Sequence, residues 1–406
     1  MNILNVINSD LLYGGGGAIA MNRLHKAFLK YGHSSRIMSE LMTTDSELVY
    51  KVTTWPLIEK LLRRLTSRMG LNDLHKISSY KINKNPAYQK SDIIHIHGTH
   101  SGFINYLFLP NITKGKPSFF TLHDMWALTG HCAYSFDCER WKDKCGKCPY
   151  PESHPPIRFD NTRLELLLKR KAFLKSPVTL ITPSIWLYEK TKNIFGNSHQ
   201  VVHIPNGVDL DIYKPNDNEA IRTAFSIPKS RKIIMFAALD VQEHRKGGDL
   251  LLSALSTIPE SFKKELFLLV VGQKGERTFE TTGIKGLNVG FINNDHLMSL
   301  FYSVADIFVH PSRADNFPLT LLESLACGTP VVGFPLGGTP EIVRDGQTGL
   351  LAEPDDCDSL SKCIIRLIDD TQIRRHFADE CVKIATKEYS LELQAKRHLE
   401  LYAEKQ

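Results

Sequence analysis

Short apolar runs alternate with amphipathic stretches along most of the chain. The runs Asn2–Ile7, Asp92–His97, Ser118–His123, Val178–Pro183 and Val201–Ile204 read as strands. A second series follows at Lys232–Leu239, Leu266–Val271, Asp306–Val309 and Pro330–Gly333. Between them, Ala18–Lys30, Arg163–Lys175, Asp249–Ile258 and Leu319–Cys327 carry apolar residues at helical spacing. This alternation predicts parallel sheets covered by helices on both faces. It occurs twice. The turn cluster Pro205-Asn206-Gly207 separates the two series and marks a hinge. The expected class is therefore α/β, with two doubly wound domains, residues 1–204 and 205–390, facing across a cleft. The pattern Leu391–Glu404 adds one last helix.

Composition narrows the class without changing it. The 406 residues are 42% hydrophobic and 23% charged, close to an average globular chain. That excludes a disordered chain, a collagen-like chain or a small disulfide scaffold. The first residues lack a basic region followed by an apolar core and a cleavage site, and read as a strand rather than a signal peptide. No run approaches the ~18 apolar residues of a membrane-spanning helix. A cytoplasmic location is expected, with the eight cysteines mostly reduced. The net charge of +6 is uneven: residues 1–204 hold 27 Lys and Arg against 15 Asp and Glu, and residues 205–406 hold 23 against 29. A basic half suits an anionic partner such as a phosphorylated substrate or a membrane surface. Nucleic acid is not expected, because no recognition module is present.

Ligands of doubly wound sheets bind beyond the carboxyl ends of the strands, so chemistry is sought just after each strand. Gly14, Gly15, Gly16 and Gly17 follow the first strand and precede a helix. Glycines there let a backbone approach a ligand, and a helix N-terminus offers N–H groups to an anion. His123 and Asp124 end a later strand, where an imidazole meets a sugar hydroxyl or a phosphate. His95, His97 and His100 follow an earlier one. Arg245 and Lys246 lie in a loop before a helix and suit a diphosphate, Arg as a two-oxygen fork and Lys as a point charge. Asp315 and Glu323 stand eight apart around the start of the helix Leu319–Cys327. Asp315 would hold sugar hydroxyls and Glu323 a ribose diol, while the N–H groups of Leu319 and Thr320 face a phosphate. Gly337-Gly338-Thr339 could form a second anion-binding turn.

The spacing of Asp315 and Glu323, with SLACGTPVV and GGTPEIV after it, resembles the donor site of retaining GT-B glycosyltransferases of family 4. The resemblance extends over nearly the whole chain through the glycine loop, TLHD, ITPS, IPNGVD and RKG. It implies two Rossmann-like domains, the first binding an acceptor and the second a nucleotide diphosphate sugar, with the last helix crossing back to the first domain. The implied site comprises His123, Arg245, Lys246, Asp315 and Glu323 as catalytic residues. Gly15, Gly16, Asn316, Phe317, Leu319 and Thr320 are the implied donor-binding residues. The resemblance also implies retention of configuration and no catalytic metal, and no DxD triplet is counted among the motifs. Four positions depart from the family pattern. Asp315 replaces Glu, Asn316 and Pro318 replace glycines, and Ala238-Leu239-Asp240 stands where an arginine is usual, leaving Arg245 as its substitute. The segment from His123 to Pro149 resembles an insertion of bacterial colanic-acid, O-antigen and capsule enzymes.

That insertion holds Cys132, Cys138, Cys145 and Cys148, whose spacing suits a structural tetrathiolate zinc site; disulfides or free thiols are the alternatives. The segment lacks a continuous apolar face to fix one shape, so a thiolate-bound metal is expected to supply the order, with Trp126 and Trp141 as stacking surfaces for sugar rings. Cys327, Cys357, Cys363 and Cys381 read as core residues on helices. Leu57–Arg68 is apolar and basic at helical spacing, suited to an anionic membrane surface, and Arg163–Lys175 offers a second basic face. The expected activity is sugar transfer to a saccharide acceptor, lipid-linked, in bacterial surface polysaccharide synthesis. The alternatives are a nucleotide-sugar 2-epimerase on the same fold or a non-catalytic sugar-nucleotide sensor.

Overall fold

The computed structural model describes the whole chain except residues 11–14, 43, 45, 218, 276–280 and 406. Gly14, the first of the four glycines, lies outside the described residues. The chain divides into two compact units, residues 1–205 with 394–406, and residues 206–393.

The first unit is built on seven strands: β1 (Asn2–Val6), β2 (Ser34–Ser39), β3 (Val49–Lys51), β4 (Ile93–Ile96), β5 (Ser118–Thr121), β6 (Thr179–Thr182) and β7 (Val201–His203). They form one sheet in the order β3-β2-β1-β4-β5-β6-β7, every pair parallel. The central strands are Ile- and Phe-rich because both of their faces are covered. Ile94, Ile96, Phe120 and Leu180 join one buried cluster with Phe173 and Phe195 from the flanking helices.

The insertion after β5 belongs to this core. Trp126 and Trp141 are buried, with Met125 and Leu128 beside them. They are therefore not open stacking surfaces, and the insertion takes its shape from apolar burial. Lys169, on the helix Thr162–Leu174, also turns inward: its Nζ donates to the Trp126 carbonyl at 2.8 Å and lies 4.0 Å from the Trp126 ring. That removes one cation from the basic face expected there.

The second unit holds β8 (Lys232–Asp240), β9 (Leu266–Gln273), β10 (Gly286–Asn288), β11 (Ile307–His310), β12 (Val331–Gly333) and β13 (Gly349–Leu351). Their order is β10-β9-β8-β11-β12-β13, again all parallel. Cys327 and Cys381 are buried as expected, whereas Cys357 and Cys363 are half-buried at the edge of the core.

Each sheet has a switch point where strand order reverses direction, between β1 and β4 in the first unit and between β8 and β11 in the second. The connections leaving these adjacent strands go to opposite faces, which opens a crevice at their carboxyl ends.

Candidate functional site

In the second unit, the loops leaving β8 and β11 meet at the switch point. The loop after β8 folds into a short 3-10 turn, His244–Lys246, ending at Gly247 with φ +69°. A Cβ on Gly247 would stand 1.8 Å from the Pro311 carbonyl oxygen, so only glycine permits this approach of the two loops. Ser312 Oγ donates to the Arg245 carbonyl at 3.0 Å, and Arg313 Nη1 to the His244 carbonyl at 2.8 Å. Arg313 also grips Asp249 through two parallel bonds of 2.7 and 2.6 Å.

This staple brings three expected residues together. Lys246 Nζ lies 2.6 Å from Asp315 Oδ2, and Arg245 Nη1 lies 3.5 Å from the same oxygen. Arg245 Nε also pairs with Glu243 at 2.8 Å. Burial alone would raise the Asp315 carboxyl, but the charges of Lys246 and Arg245 more than offset it and hold it far below the usual carboxylate range. The carboxylate is thus ionised and the two cations are pre-positioned around it.

Glu323 sits inside the helix Leu319–Ala326 and is buried; the Tyr302 hydroxyl donates to its Oε2 at 3.1 Å. The helix begins after Pro318, whose side chain caps nothing, so the N–H groups of Leu319 and Thr320 take no bond from that residue. Asn316 is buried in the preceding turn, its N–H donating to Asp315 Oδ1 at 3.1 Å, and Phe317 packs on Tyr389. Gly337, with φ +62°, lies against the Asp315 carbonyl, where a Cβ would come within 1.8 Å.

The sequence pattern did not single out His310. It ends β11, is buried, and its Nε2 has no hydrogen-bond partner among the described residues. Burial pushes its pKa down to about 3, so it is neutral. Its signal was available: it is the last residue of a central strand at the switch point.

In the first unit, the helix Gly15–Lys30 starts beside β1, with Gly15 and Gly16 exposed. Gly17 lies against the ring of His123, where a Cβ would stand 3.2 Å from Cγ and Cδ2. Burial depresses His123 to about 4. His97 stacks on it, with ring centroids 5.5 Å apart. His100 Nε2 pairs with Asp124 Oδ2 at 3.0 Å. His95 is directed elsewhere, between Thr121 Oγ1 at 2.7 Å and the Tyr402 hydroxyl at 2.6 Å on the last helix. His97, Thr99, His100, His123 and Asp124 line one small cavity with Trp126.

The expected zinc site is not assembled. Among the described residues, no three His, Cys, Asp or Glu side chains are grouped to hold a metal ion. Cys132, Cys138, Cys145 and Cys148 are all free and half-buried. Burial raises the Cys132 thiol to about 12 and the Cys145 and Cys148 thiols above their ordinary value, which favours thiol over thiolate. Contrary to expectation, the chain does contain DxD triplets, Asp209-Leu210-Asp211 and Asp356-Cys357-Asp358. Asp356 caps the helix Cys357–Asp369, and Asp209 accepts from the Asp211 N–H at 3.0 Å.

Known proteins match both units of the chain. Residues 14–212 match the model of Glycosyltransferase Family 4, and residues 217–383 match Glycosyl transferases group 1. A protein of Escherichia coli (strain K12) named as a colanic acid biosynthesis glycosyl transferase, WcaC, is 26% identical over 363 residues, 85% of each chain. Sucrose-phosphate synthase from Thermosynechococcus elongatus superposes with a TM-score of 0.72 at 18% identity, covering 100% of this chain and 99% of that one. Anabaena HepE in complex with UDP-glucose superposes at 0.70 and 18% identity, covering 100% of both. With both halves of the chain matched and two parallel α/β units of the GT-B class, the chain belongs to the group 1 and family 4 glycosyltransferases.

Proposed function

We propose that this chain moves a sugar from a nucleotide diphosphate sugar to a saccharide acceptor, lipid-linked, in bacterial surface polysaccharide synthesis, with retention of configuration. The observation that carries the reading is the cluster of Arg245, Lys246 and Asp315 at the second switch point, beside the helix bearing Glu323. In this reading Arg245, Lys246 and the N–H groups of Leu319 and Thr320 stabilise the diphosphate as negative charge grows on it. Asp315 holds the donor sugar, with Asn316 and Phe317 shaping the turn around it. Glu323 holds the ribose. His123 meets a hydroxyl of the sugar or acceptor, and Gly15 and Gly16 let the backbone approach the donor. The incoming hydroxyl attacks from the leaving group's own face, and the departing phosphate takes its proton. The relatives support the setting: one is named for colanic acid biosynthesis, and HepE was crystallised in complex with UDP-glucose.

A thermal-shift panel of nucleotide sugars, followed by transfer of labelled sugar from each binder to lipid-linked acceptors, tests this. Sugar on an acceptor with retained configuration supports it. An altered free donor would mean an epimerase, and binding without turnover a sensor; either overturns it.

The membrane part of the proposal rests on the helix Pro56–Arg68. Only Glu59 of that helix is buried, held by Lys76 at 3.0 Å. Leu57 (85% exposed), Ile58, Leu61 and Leu65 face outward among Lys60, Arg63, Arg64 and Arg68. No described helix is long and apolar enough to cross a membrane, whereas an apolar stripe flanked by cations suits an anionic bilayer surface. Sedimentation with phosphatidylserine-containing vesicles, but not with pure phosphatidylcholine vesicles, is expected. Its persistence in Leu57→Glu/Leu61→Glu would overturn the assignment.

A further inference from the structure

Behind His123 runs a line of buried polar groups whose proton positions are determined by their partners. His97 places Nδ1 3.2 Å from His123 Nε2, and Nε2 3.3 Å from Asn5 Oδ1 on β1. Asn5 Nδ2 in turn reaches Ser35 Oγ at 3.0 Å and the Arg36 carbonyl at 3.2 Å. Asn5, Ser35 and His97 are buried, and His123 at the head of the line is half-buried.

The logic starts at the Arg36 carbonyl, which can only accept. The group facing it must be the amide nitrogen of Asn5, which sets the orientation of that side chain. Asn5 Oδ1 therefore faces His97, and it too can only accept. Hence His97 Nε2 carries the hydrogen. Burial keeps His97 neutral by holding its pKa well below the ordinary value, and a neutral imidazole has one N–H. His97 Nδ1 is then an acceptor, so His123 Nε2 must donate to it. In neutral His123 the lone pair is left on Nδ1, and any polar group meeting that nitrogen must donate to it, as a sugar hydroxyl does.

Two neighbours keep this chain from rearranging. His95 lies 3.9 Å from His97 by ring centroids, but its own nitrogens are engaged by Thr121 and Tyr402. Gly17 leaves just enough room for the His123 ring, which limits its rotation.

We propose that His97 and Asn5 are positioning residues that lock His123 in its Nε2–H form, with Nδ1 as its acceptor nitrogen. The functional half of this rests on the transfer reading above; the tautomer half does not.

Long-range proton–nitrogen correlation spectra of the full chain, labelled with 15N-histidine, test it, the His123 signals being identified by their loss in His123→Gln. The wild type is expected to show a protonated Nε2 and an unprotonated Nδ1 at His123. His97→Leu removes the acceptor and gives a mixture of forms. His97→Asn places an amide oxygen near the position of Nδ1 and restores the single form. Asn5→Leu keeps both imidazoles but frees the His97 proton, so it also yields a mixture; it serves as the readout if His97→Leu does not fold. In the transfer assay, His97→Leu lowers kcat by about 10–100-fold, the scale for partners that orient a functional histidine, and His97→Asn recovers most of it. A wild-type proton on Nδ1, or a single Nε2–H form surviving in Asn5→Leu, would overturn the proposal. So would a kcat in a folded His97→Leu equal to that of the wild type. The spectra need no donor, so they stand apart from any failure of the transfer reading.

Discussion

Lys246 and Asp315 make opposite predictions for nucleotide binding, and the pair is therefore the sharpest test of the proposed donor-binding role. Their side chains are largely enclosed and 2.6 Å apart. A hydrogen bond to a charged group at such a site contributes about 1.5–3 kcal/mol. A bound diphosphate competes with Asp315 for the same ammonium. Lys246→Ala removes the cation, so affinity for UDP, used as probe, should fall about 10–150-fold, which is that energy at 1.4 kcal/mol per decade. Asp315→Asn keeps the shape but removes the competing charge. Lys246 and Arg245 are then expected to turn to the diphosphate and UDP to bind more tightly, while sugar transfer falls because the group proposed to hold the donor sugar has changed. Titration calorimetry on the full chain reads both affinities; about 0.1 M salt keeps long-range charge effects small. Far-UV circular dichroism checks the fold, since Lys246→Ala leaves Asp315 with Arg245 alone at 3.5 Å. If Asp315→Asn weakens UDP as much as Lys246→Ala does, Asp315 serves to place Lys246 rather than to compete for it, and the reasoning fails.

Glu323→Ala should lower turnover at least ~100-fold and cost about 1–3 kcal/mol in urea unfolding, because the enclosed Tyr302 hydroxyl loses its 3.1 Å acceptor; near-normal turnover would remove Glu323 from the site. Burial raises the Asp73 carboxyl to about 6, although Gly102, His100, Lys169 and Lys76 pull the other way. Its folded pKa lies above the unfolded value of 3.8, so stability is complete below that value and declines as pH rises through about 6. Asp73→Asn abolishes the loss and should stabilise the chain at neutral pH by about 3 kcal/mol, two pKa units at 1.36 kcal/mol each; an unchanged difference between urea midpoints at about pH 4 and pH 7.5 would refute this. Gly247→Ala forces the loops after β8 and β11 apart, since its Cβ would stand 1.8 Å from the Pro311 carbonyl oxygen; it should weaken UDP binding together with Lys246→Ala, and unaltered binding would show that the loop contact is dispensable.

Much of the fold was legible because central parallel strands are apolar on both faces. Ile93–Ile96, Leu266–Gln273 and Ile307–His310 stand out as runs for that reason. The strands missed were Ser34–Ser39, Val49–Lys51, Gly286–Asn288 and Gly349–Leu351. Three of these are three residues long, and three lie at sheet edges. Ser34–Ser39 reads Ser-Ser-Arg-Ile-Met-Ser, with too few apolar residues to form a run. Asp315 and Glu323 were singled out by their spacing, but the pairing of Lys246 with Asp315 was not legible. It depends on two loops 69 residues apart meeting at a switch point. The insertion was misread for a related reason. Met125, Trp126, Leu128 and Trp141 have neither strand nor helix period, so their common burial is visible only after the chain has folded.

The two switch points hold their polar groups by different means, and the difference follows from the groups themselves. In the second unit, fixed charges of both signs share a nearly enclosed space, and their attraction offsets the cost of removing them from water. In the first unit, the groups nearest the crevice are imidazoles, which escape that cost by becoming neutral and linking into a directed chain. On the inference above, His123, His97 and Asn5 carry no charge, yet each hydrogen bond among them has one sense, fixed from the Arg36 carbonyl outward. An ion pair can be opened by a ligand of greater charge, which suits a diphosphate. A directed neutral chain resists such exchange and keeps one hydrogen-bond sense. Each cluster is thus arranged within its own unit, one by charge and one by hydrogen-bond sense, which is the condition under which fixed dipoles and charges are most effective in a reaction.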